Sequence, residues 1–436
     1  MKNMLETFNG YLWIVVTLVI FLSGLYFSFK TKFIHFRFKE LKRILKKPVE
    51  AGYISPWQSL MMNLAARIGV GSISGIALAV YIGGPGTIFW MWITAFFASS
   101  NTFVESVLGR LYNEKDEANI YKGGPSFYIE KGLGKKNLAK LYSLIIIISF
   151  VVGFLAIQSN TISIGISEAI NVSQFNIGII LAIITGLVII KGVKSIARFT
   201  DFLVPFMGII YFIVCMIIIV IRFDILPQIL IDIFIDAFKI KSAGVGIITT
   251  FIIGMQRGIF SNEAGIGTGA IAAGVTNSSD KCEQGFIQSF GVIFDTLVIG
   301  TISGLVVLST NYMNLIIEDA NGIEISKYAF HYHLGDFGIN MLLIIIVLFA
   351  FASIVTGYYY GESSLKFLIK NISNKTLLIF KLFTLLVLFI GTLVSSTMIW
   401  NLVDIFIGIL AIINIYAIVS LRKSALNIIK DRKNMI

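Results

Sequence analysis

GMQRGIFSNEAGIGTGAIAAG, residues 254–274, lies within a long apolar run that begins near Gly244. It nevertheless carries Arg257, Glu263, four uncharged polar residues and six glycines. An ionised side chain at the centre of a bilayer costs about 2.5–3.5 kcal/mol, so such groups face a cavity or a partner. This density of glycine disfavours a continuous helix, and non-helical backbone in a membrane is tolerated only where protein buries it or water reaches it. The segment therefore predicts a broken membrane helix around a polar binding site.

The composition places this segment in a membrane protein. The 436 residues are 56% hydrophobic and 14% charged, with a mean hydropathy of +0.87. These values exclude a soluble domain, and the continuous apolar runs predict an all-α polytopic membrane protein rather than a transmembrane barrel. Eleven transmembrane helices are predicted, at residues 10–29, 57–83, 86–108, 141–168, 175–191, 200–221, 242–275, 285–311, 338–365, 376–396 and 398–420.

The basic residues between these spans predict the topology. With the N-terminus outside, 27 of the 35 Lys and Arg residues fall in cytoplasmic segments and 5 in outer segments. Positive charge concentrates on the cytoplasmic side of membrane proteins, so we expect the N-terminus outside and the C-terminus in the cytoplasm. This distribution accounts for the net charge of +11 and predicts a lipid bilayer, not a nucleic acid, as the partner. We expect a plasma-type or inner membrane, and the Ile-, Phe-, Lys- and Asn-rich usage favours an AT-rich bacterial genome.

A second glycine-rich stretch, LAARIGVGSISGIALAVYIGG at residues 64–84, interrupts the second span. Gly71 and Gly75 could serve only close helix packing, but Arg67 and the recurrence of the pattern at 254–274 favour another break. When the first span is set aside, the two interrupted spans are the first and sixth of ten. Two halves of five spans, each opening with a broken helix, predict a 5+5 inverted repeat with its site at mid-membrane.

This pattern predicts the domain organisation. We expect a peripheral N-terminal helix and a basic interfacial helix in residues 1–50, a ten-helix core at 51–421 and a cytoplasmic tail at 422–436. The core consists of a first repeat, 57–221, and a second repeat, 242–421. The sequence holds no phosphate-binding loop, dinucleotide-binding glycine pattern or metal-spaced set of His and Cys in a credible context. We therefore expect a protein that is not an enzyme and that holds no organic cofactor.

Six segments together resemble the alanine/glycine:cation symporter family. They are RIGVGSISGIA at 67–77, GGPGTIFWMW at 83–92, GGPSFYIEKGLG at 123–134, QRGIFSNEAGIGTG at 256–269, QGFIQSFGVIFDTLV at 284–298 and YYYGE at 358–362. The resemblance implies a secondary active transporter of the LeuT type, which takes up a small neutral amino acid by alternating access. Sodium is the implied coupling ion.

The amino acid and the ion would bind between the two broken helices. A carboxylate needs N–H donors at the positive end of a half-helix, which the unwound backbone near Gly69 can supply. The expected substrate-binding residues are Gly69, Gly71, Ser72, Gln158, Gly258, Phe260, Ser261, Asn262 and Gly357. The resemblance implies a sodium site made by the carbonyls of Ala65 and Ile68 and the hydroxyl of Ser353.

Two departures from the family bear on the cargo. The family's first break reads Gly-Thr-Gly-Asn where this chain has Gly69-Val70-Gly71-Ser72, and the family's Trp before the tyrosines is Gly357 here. We expect a pocket larger than an alanine carrier needs, which would admit glutamine or another longer neutral amino acid. A proton-coupled or uncoupled carrier of the same fold stays open, with Glu263, Asp295 and Glu105 as candidate proton sites, and so does a non-transporting membrane receptor.

Overall fold

The computed structural model of this chain describes residues 2–46, 53–116, 120–239, 245–277, 279–311, 322–394 and 397–434. These residues are helical apart from loops, an isolated bridge and a small antiparallel hairpin of β1 (Glu114–Lys115) and β2 (Tyr121–Lys122). The α-helices are α1 (Lys2–Thr31), α2 (Phe38–Leu45), α3 (Pro56–Arg67), α4 (Ile76–Gly83), α5 (Gly86–Leu111), α6 (Pro125–Leu133), α7 (Lys136–Ile146), α8 (Leu155–Ile170), α9 (Gln174–Ile189), α10 (Val193–Ile221), α11 (Leu226–Ala237), α12 (Val245–Asn262), α13 (Thr268–Gly274), α14 (Glu283–Phe294), α15 (Thr301–Leu308), α16 (Gly322–Leu368), α17 (Asn374–Gly391), α18 (Thr397–Ser420) and α19 (Arg422–Asn434). A 3-10 helix (Ile34–Phe36) precedes α2, and π-helical segments (Gly71–Gly75, Ile147–Phe154, Asp295–Gly300) precede α4, α8 and α15.

The helices have the length and apolarity of a membrane protein. Seven helical segments among the described residues are long and apolar enough to cross a bilayer, and the bent pair Pro56–Arg67 with Gly71–Gly83 makes an eighth. The chain is therefore a multi-pass α-helical membrane protein. The other three predicted spans fall in α5, in the 16-residue α9, and in α12 with α13. The count of eleven stays a prediction.

The first predicted break is confirmed. Ser55 caps α3 in a capping box with Gln58, and Pro56 occupies the first turn, so the start of this helix is fixed by local chemistry. The helix ends at Arg67, and Ile68 leaves helical geometry with φ −78° and ψ 67°. The chain then re-enters a helix through the π-helical segment, with the two halves bent by 56°.

The second predicted break is confirmed as well. α12 ends at Asn262, and α13 does not begin until Thr268. Between them the φ angles are 53° at Glu263, 80° at Gly265 and 107° at Gly267. Glycine adopts these left-handed values without steric cost, so Gly265 and Gly267 are suited to the conformation that the break requires. The interruption at 254–274 is therefore a specific consequence of its glycines.

The core packs around α5. This helix contacts α1, α12, α13 and α14, and α1 also packs against α18. Trp13 of α1 is fully buried in these contacts. The boundary predicted at residue 50 and the start predicted at 242 lie outside the described residues, so the division into repeats stays a prediction. α10 begins at Val193, seven residues before its predicted span, so the helix extends beyond the apolar run from which the span was predicted.

Candidate functional site

The two breaks meet at a pair of serines. The Ser72 and Ser261 hydroxyl oxygens lie 2.8 Å apart, and both side chains are buried. Asp295, in the π-helical segment before α15, contacts both of them, at 3.0 Å from Ser72 and 2.8 Å from Ser261. Asn262 donates to the Thr296 hydroxyl at 2.9 Å, which ties the end of α12 to the same segment. Two predicted site residues that are 189 positions apart are thus brought into direct contact by a carboxyl that bridges them.

Gln158 faces the first break from α8. A Cβ placed on Gly69 would lie 3.5 Å from the Gln158 amide nitrogen and 2.7 Å from the Ser353 hydroxyl oxygen. The Gln158 side chain is completely buried, yet neither its amide nitrogen nor its carbonyl oxygen has a hydrogen-bond partner among the described residues. Buried polar groups are nearly always paired, and an unpaired one costs about 1–3 kcal/mol. This amide therefore has hydrogen-bonding capacity that the described residues leave unused.

Ser353 joins α16 to the first break. Its hydroxyl oxygen lies 3.0 Å from both the Ala65 and the Phe349 carbonyl oxygens, and its single hydrogen can be donated to either of them. Ile68, the third predicted sodium ligand, is the residue at which α3 leaves helical geometry. These oxygens are hard ligands of the kind that alkali and alkaline-earth cations prefer. The predicted sodium ligands Ala65 and Ser353 are therefore adjacent in space.

A cavity of about 670 Å³ leads to the breaks from one end of the bundle. At its inner end it is lined by Gly71, Gly75 and Phe260. At its outer end it is lined by the exposed Glu168 and the half-buried Lys327, which form a salt bridge at 2.5 Å. Ligand pockets have volumes of roughly 300–1,000 Å³. The cavity is thus large enough for an amino acid and is reached from the end where α8 finishes and α16 begins.

The predicted substrate residues divide into two groups around this cavity. Gly71 and Phe260 line it. The others lie behind its wall in the buried core: Gly69, Ser72, Gln158, Gly258, Ser261, Asn262 and Gly357. The space beside Gly357 is occupied, since a Cβ there would lie 2.8 Å from a methyl carbon of Leu155.

Lining residues on α18 were not predicted from the sequence. Trp400 and Asp404 of α18 line the cavity together with Arg257 of α12, and the Trp400 ring lies 5.9 Å from the Phe260 ring between centroids. Asp404 is buried, and its Oδ1 has no hydrogen-bond partner in the described part of the chain. Buried charge in a span was the available signal, but nothing in the sequence places α18 opposite α12.

A buried polar network supports the breaks from the other side. The Arg67 guanidinium donates to the Gln288 carbonyl at 2.9 Å. Asn414 donates to Glu105 at 2.7 Å and to the Gly265 carbonyl at 2.9 Å, so a backbone carbonyl exposed by the second break is satisfied by α18. Irregular backbone at membrane depth requires such partners. The network therefore stabilises the unwound segment.

The opposite end of the bundle is closed by ion pairs. Arg432 of α19 contacts Glu40 of α2 at 2.9 Å and Asp280 at 2.5 Å, and Lys366 of α16 contacts Asp116, next to β1, at 3.5 Å. Burial opposes the charge on Arg432, but its hydrogen bonds to Asp280 and Glu40 outweigh burial and raise the pKa of the guanidinium. α16 and α18 each run from the cavity end to this end, so the site opens at one face and is covered at the other.

Comparison with known proteins identifies the family. The profile of the "Sodium:alanine symporter family" matches residues 1–435. The chain belongs to the sodium:alanine symporter family. Members of this family are transporters rather than enzymes, which confirms the resemblance found in the glycine-rich segments and the expectation that the chain is not an enzyme.

Relatives of this sodium:alanine symporter family member cover nearly its whole length. It is 37% identical over 429 residues to the Bacillus subtilis protein named "Probable sodium/glutamine symporter GlnT", with 97% of this chain and 89% of the relative covered. It is 34% identical to the "Amino-acid carrier protein AlsT" of the same organism, with 97% and 90% covered. It is 32% identical to the "Sodium/alanine symporter AgcS" of Methanococcus maripaludis, with 96% and 94% covered.

Proposed function

We propose that this chain is a sodium-coupled symporter that takes up a small neutral amino acid, glutamine included, by alternating access through a LeuT-type inverted repeat. The relatives named for sodium, alanine and glutamine support the substrate class. The N-terminus lies outside and the C-terminus in the cytoplasm in this proposal, so the cavity faces outward.

The unpaired Gln158 amide carries the proposal. Gln158 and Gly69 lie behind the cavity wall in this conformation, and the Gly69 N–H donates to the Arg67 carbonyl at 2.8 Å. An amino-acid carboxylate that enters between them would accept from the Gln158 amide nitrogen and would compete for that N–H. The ammonium would bind the Gln158 carbonyl oxygen or carbonyls released by the second break. A zwitterion thus satisfies both unpaired atoms of one side chain.

Sodium would bind one turn away. The Ala65 and Ile68 carbonyls and the Ser353 hydroxyl supply neutral oxygen ligands, so the ion keeps its charge and is drawn inward by the membrane potential. One sodium ion with a neutral substrate gains about 2.3 kcal/mol per 100 mV. A Cβ at Gly69 would lie 2.7 Å from the Ser353 hydroxyl oxygen. Ion and substrate sites therefore share the backbone of Gly69, which is a physical basis for coupling.

The arrangement of open and closed ends fits alternating access. The cavity reaches Gly71 and Phe260 from one face, while the pairs of Arg432 with Glu40 and Asp280 and of Lys366 with Asp116 join helices and loops at the other face. Return to the other state requires these ion pairs to separate and the cavity to collapse around Phe260 and Trp400.

Uptake into proteoliposomes tests the proposal. Labelled alanine and glutamine are offered with an inward sodium gradient, with an inward proton gradient, and with neither. The expected result is concentrative, saturable uptake of at least one of them only with sodium. Concentrative uptake with a proton gradient alone would contradict sodium coupling, and the absence of saturable uptake across a panel of neutral amino acids would contradict the substrate class.

A further inference from the structure

Basic side chains concentrate where the first long apolar helix ends. Residues 30–46, from the last turn of α1 through α2, contain seven Lys and Arg residues and a single acidic residue, Glu40. All seven basic residues are exposed: Lys30, Lys32, Arg37, Lys39, Lys42, Arg43 and Lys46. Within the described part of the chain, Arg43 alone among them has an ion pair or a side-chain hydrogen bond, to Glu40 at 2.9 Å. The other six cations therefore have no partner among the described residues.

α2 presents its basic residues on one side. Four of them are spaced i, i+3, i+4 and i+7, which places them along one face of a helix: Lys39, Lys42, Arg43 and Lys46. On the opposite face Ile44 is fully buried and Leu41 packs against the core, where α2 contacts α14. The basic face of α2 is therefore directed away from the rest of the protein.

The single acid of this segment is held on the inner side of α2. Glu40 lies 2.9 Å from Arg432 of α19, and Arg432 also contacts Asp280 at 2.5 Å. The Glu40 side chain is only 13% exposed. Because Arg432 already balances this carboxylate, Glu40 does little to offset the positive charge of the outer face.

Exposed apolar side chains border the basic residues. Phe29 in the last turn of α1, Phe38 at the start of α2 and Leu45 at its end are 65%, 50% and 37% exposed. α1 is long and apolar enough to cross a bilayer, so the segment that follows it lies where hydrocarbon gives way to headgroups. A soluble anion would balance the cations and leave these apolar side chains in water. An anionic phospholipid satisfies both kinds of side chain.

Other exposed basic residues are paired or fewer. Lys131 of α6 forms an ion pair with Glu114 at 2.7 Å. On α7 only Lys136 and Lys140 share an exposed side, and Arg432 of α19 is directed inward to its acidic partners. Among the described residues, the segment 30–46 thus combines the most unpaired positive charge with an apolar border.

We propose that the basic face of α2 and the end of α1 bind the headgroup of an anionic phospholipid of the surrounding bilayer, with its acyl chains against Phe29, Phe38 and Leu45. The lipid face and Glu40 are on opposite sides of one short helix. A bound lipid therefore holds α2 where Glu40 meets Arg432. None of these residues lines the cavity, so the test needs neither amino acid nor sodium and is independent of the proposed function.

Lipid binding to the purified full-length protein tests the proposal. The protein in a neutral detergent is titrated with phosphatidylglycerol or with phosphatidylcholine, and bound lipid is counted by native mass spectrometry. We expect the wild type to prefer phosphatidylglycerol. Lys39→Gln/Lys42→Gln/Lys46→Gln should lower the affinity for phosphatidylglycerol roughly tenfold or more, because each basic residue near an anionic surface adds to the attraction. Arg43 is kept because it contacts Glu40.

A matched variant controls for net charge. Lys136→Gln/Lys140→Gln/Lys423→Gln removes the same charge from exposed positions outside the segment and should bind phosphatidylglycerol as the wild type does. Replacing Lys39, Lys42 and Lys46 with arginine keeps the charge and should keep the binding. An equal loss of affinity in the two glutamine variants would overturn the proposal, and so would equal affinity of the wild type for the two lipids.

The wild type alone decides if the α2 variant cannot be purified. Its preference for phosphatidylglycerol should shrink as salt is raised to about 1 M, where the Debye length is only about 3 Å. A preference that does not change with salt would contradict a site built from exposed cations.

Melting gives an independent readout and separates a lipid from a soluble anion. Phosphatidylglycerol should raise the melting temperature of the wild type and of the matched control, and not that of the α2 glutamine variant. Glycerol phosphate, which has the anionic headgroup without acyl chains, should leave the wild type unchanged. An increase with glycerol phosphate as large as that with the lipid would show that the face binds a soluble anion, and the lipid proposal would be wrong.

Discussion

The Ser353 hydroxyl oxygen lies 3.0 Å from the Ala65 carbonyl oxygen and connects α16 to α3 within one turn of its break. The same hydroxyl lies 2.7 Å from where a Cβ on Gly69 would be. A single hydroxyl is therefore next to both the proposed ion ligands and the proposed substrate backbone. This relationship makes the coupling between sodium and substrate open to direct tests.

Removing the Ser353 hydroxyl should weaken sodium dependence specifically. Ser353→Ala deletes one proposed oxygen ligand, and we expect the sodium concentration for half-maximal uptake to rise about tenfold, equivalent to ~1.4 kcal/mol. Ser149→Ala is the matched control, because the Ser149 hydroxyl donates only to the Ile145 carbonyl of the preceding turn, at 2.7 Å. Uptake assayed over a range of sodium concentrations measures the effect. An unchanged half-saturation in Ser353→Ala would remove Ser353 from the ion site.

Gln158→Leu should stabilise the empty protein while abolishing its response to substrate. The substitution replaces an unpaired buried amide with an apolar side chain of similar size, and relief of about 1–3 kcal/mol is expected. The melting temperature without ligand should rise, and the upward shift that the transported amino acid causes in the wild type should vanish. Gln228→Leu is the control, because the exposed Gln228 amide bonds Asp232 within α11 at 2.8 Å. A lower melting temperature together with an intact substrate shift would show that Gln158 is structural.

Gly69, which lies in the first break, and Gly75, which follows it, should respond differently to an added methyl group. Gly69→Ala places a Cβ 2.7 Å from the Ser353 hydroxyl oxygen, so it must displace that oxygen, whereas a Cβ on Gly75 meets no heavy atom within 4 Å. We expect Gly69→Ala to lose most sodium-driven uptake and Gly75→Ala to retain it, at equal amounts of protein in the membrane. Similar uptake in the two variants would contradict the proposed shared site.

Leu155 should decide whether a bulky residue fits at position 357. A Cβ on Gly357 would lie 2.8 Å from a Leu155 methyl carbon, so Gly357→Trp alone should lower the melting temperature by overpacking. Leu155→Ala alone should cost about 2–5 kcal/mol through the cavity that it leaves. The double variant should be more stable than the sum of the single effects predicts.

The same pair of substitutions tests the width of the pocket. If the space at position 357 sets the substrate range, the Gly357→Trp/Leu155→Ala protein should take up alanine and lose glutamine in a competition assay. An unchanged ratio of the two substrates would show that Gly357 packs the scaffold only.

The sequence was sufficient to predict the membrane class, the two breaks and the family. Each of these depends on local chemistry: apolar runs long enough to span a bilayer, and glycine with polar residues where a helix cannot continue. The left-handed φ angles at Gly265 and Gly267 confirm that the local signal at 254–274 was physically specific.

Only the tertiary structure showed which buried groups lack partners and which meet across the chain. Ser159 and Asn160 follow Gln158 in the sequence, and only the packing of α8 against the first break shows that the Gln158 amide is the one left unpaired among the described residues. Asp295 is separated by 223 positions from Ser72 and by 34 from Ser261, and both distances close only when the helices pack. Glycine content and hydropathy are properties of neighbouring residues, whereas the contacts of Asp295 with Ser72 and Ser261 exist only because packing brings together helices that are far apart in the chain.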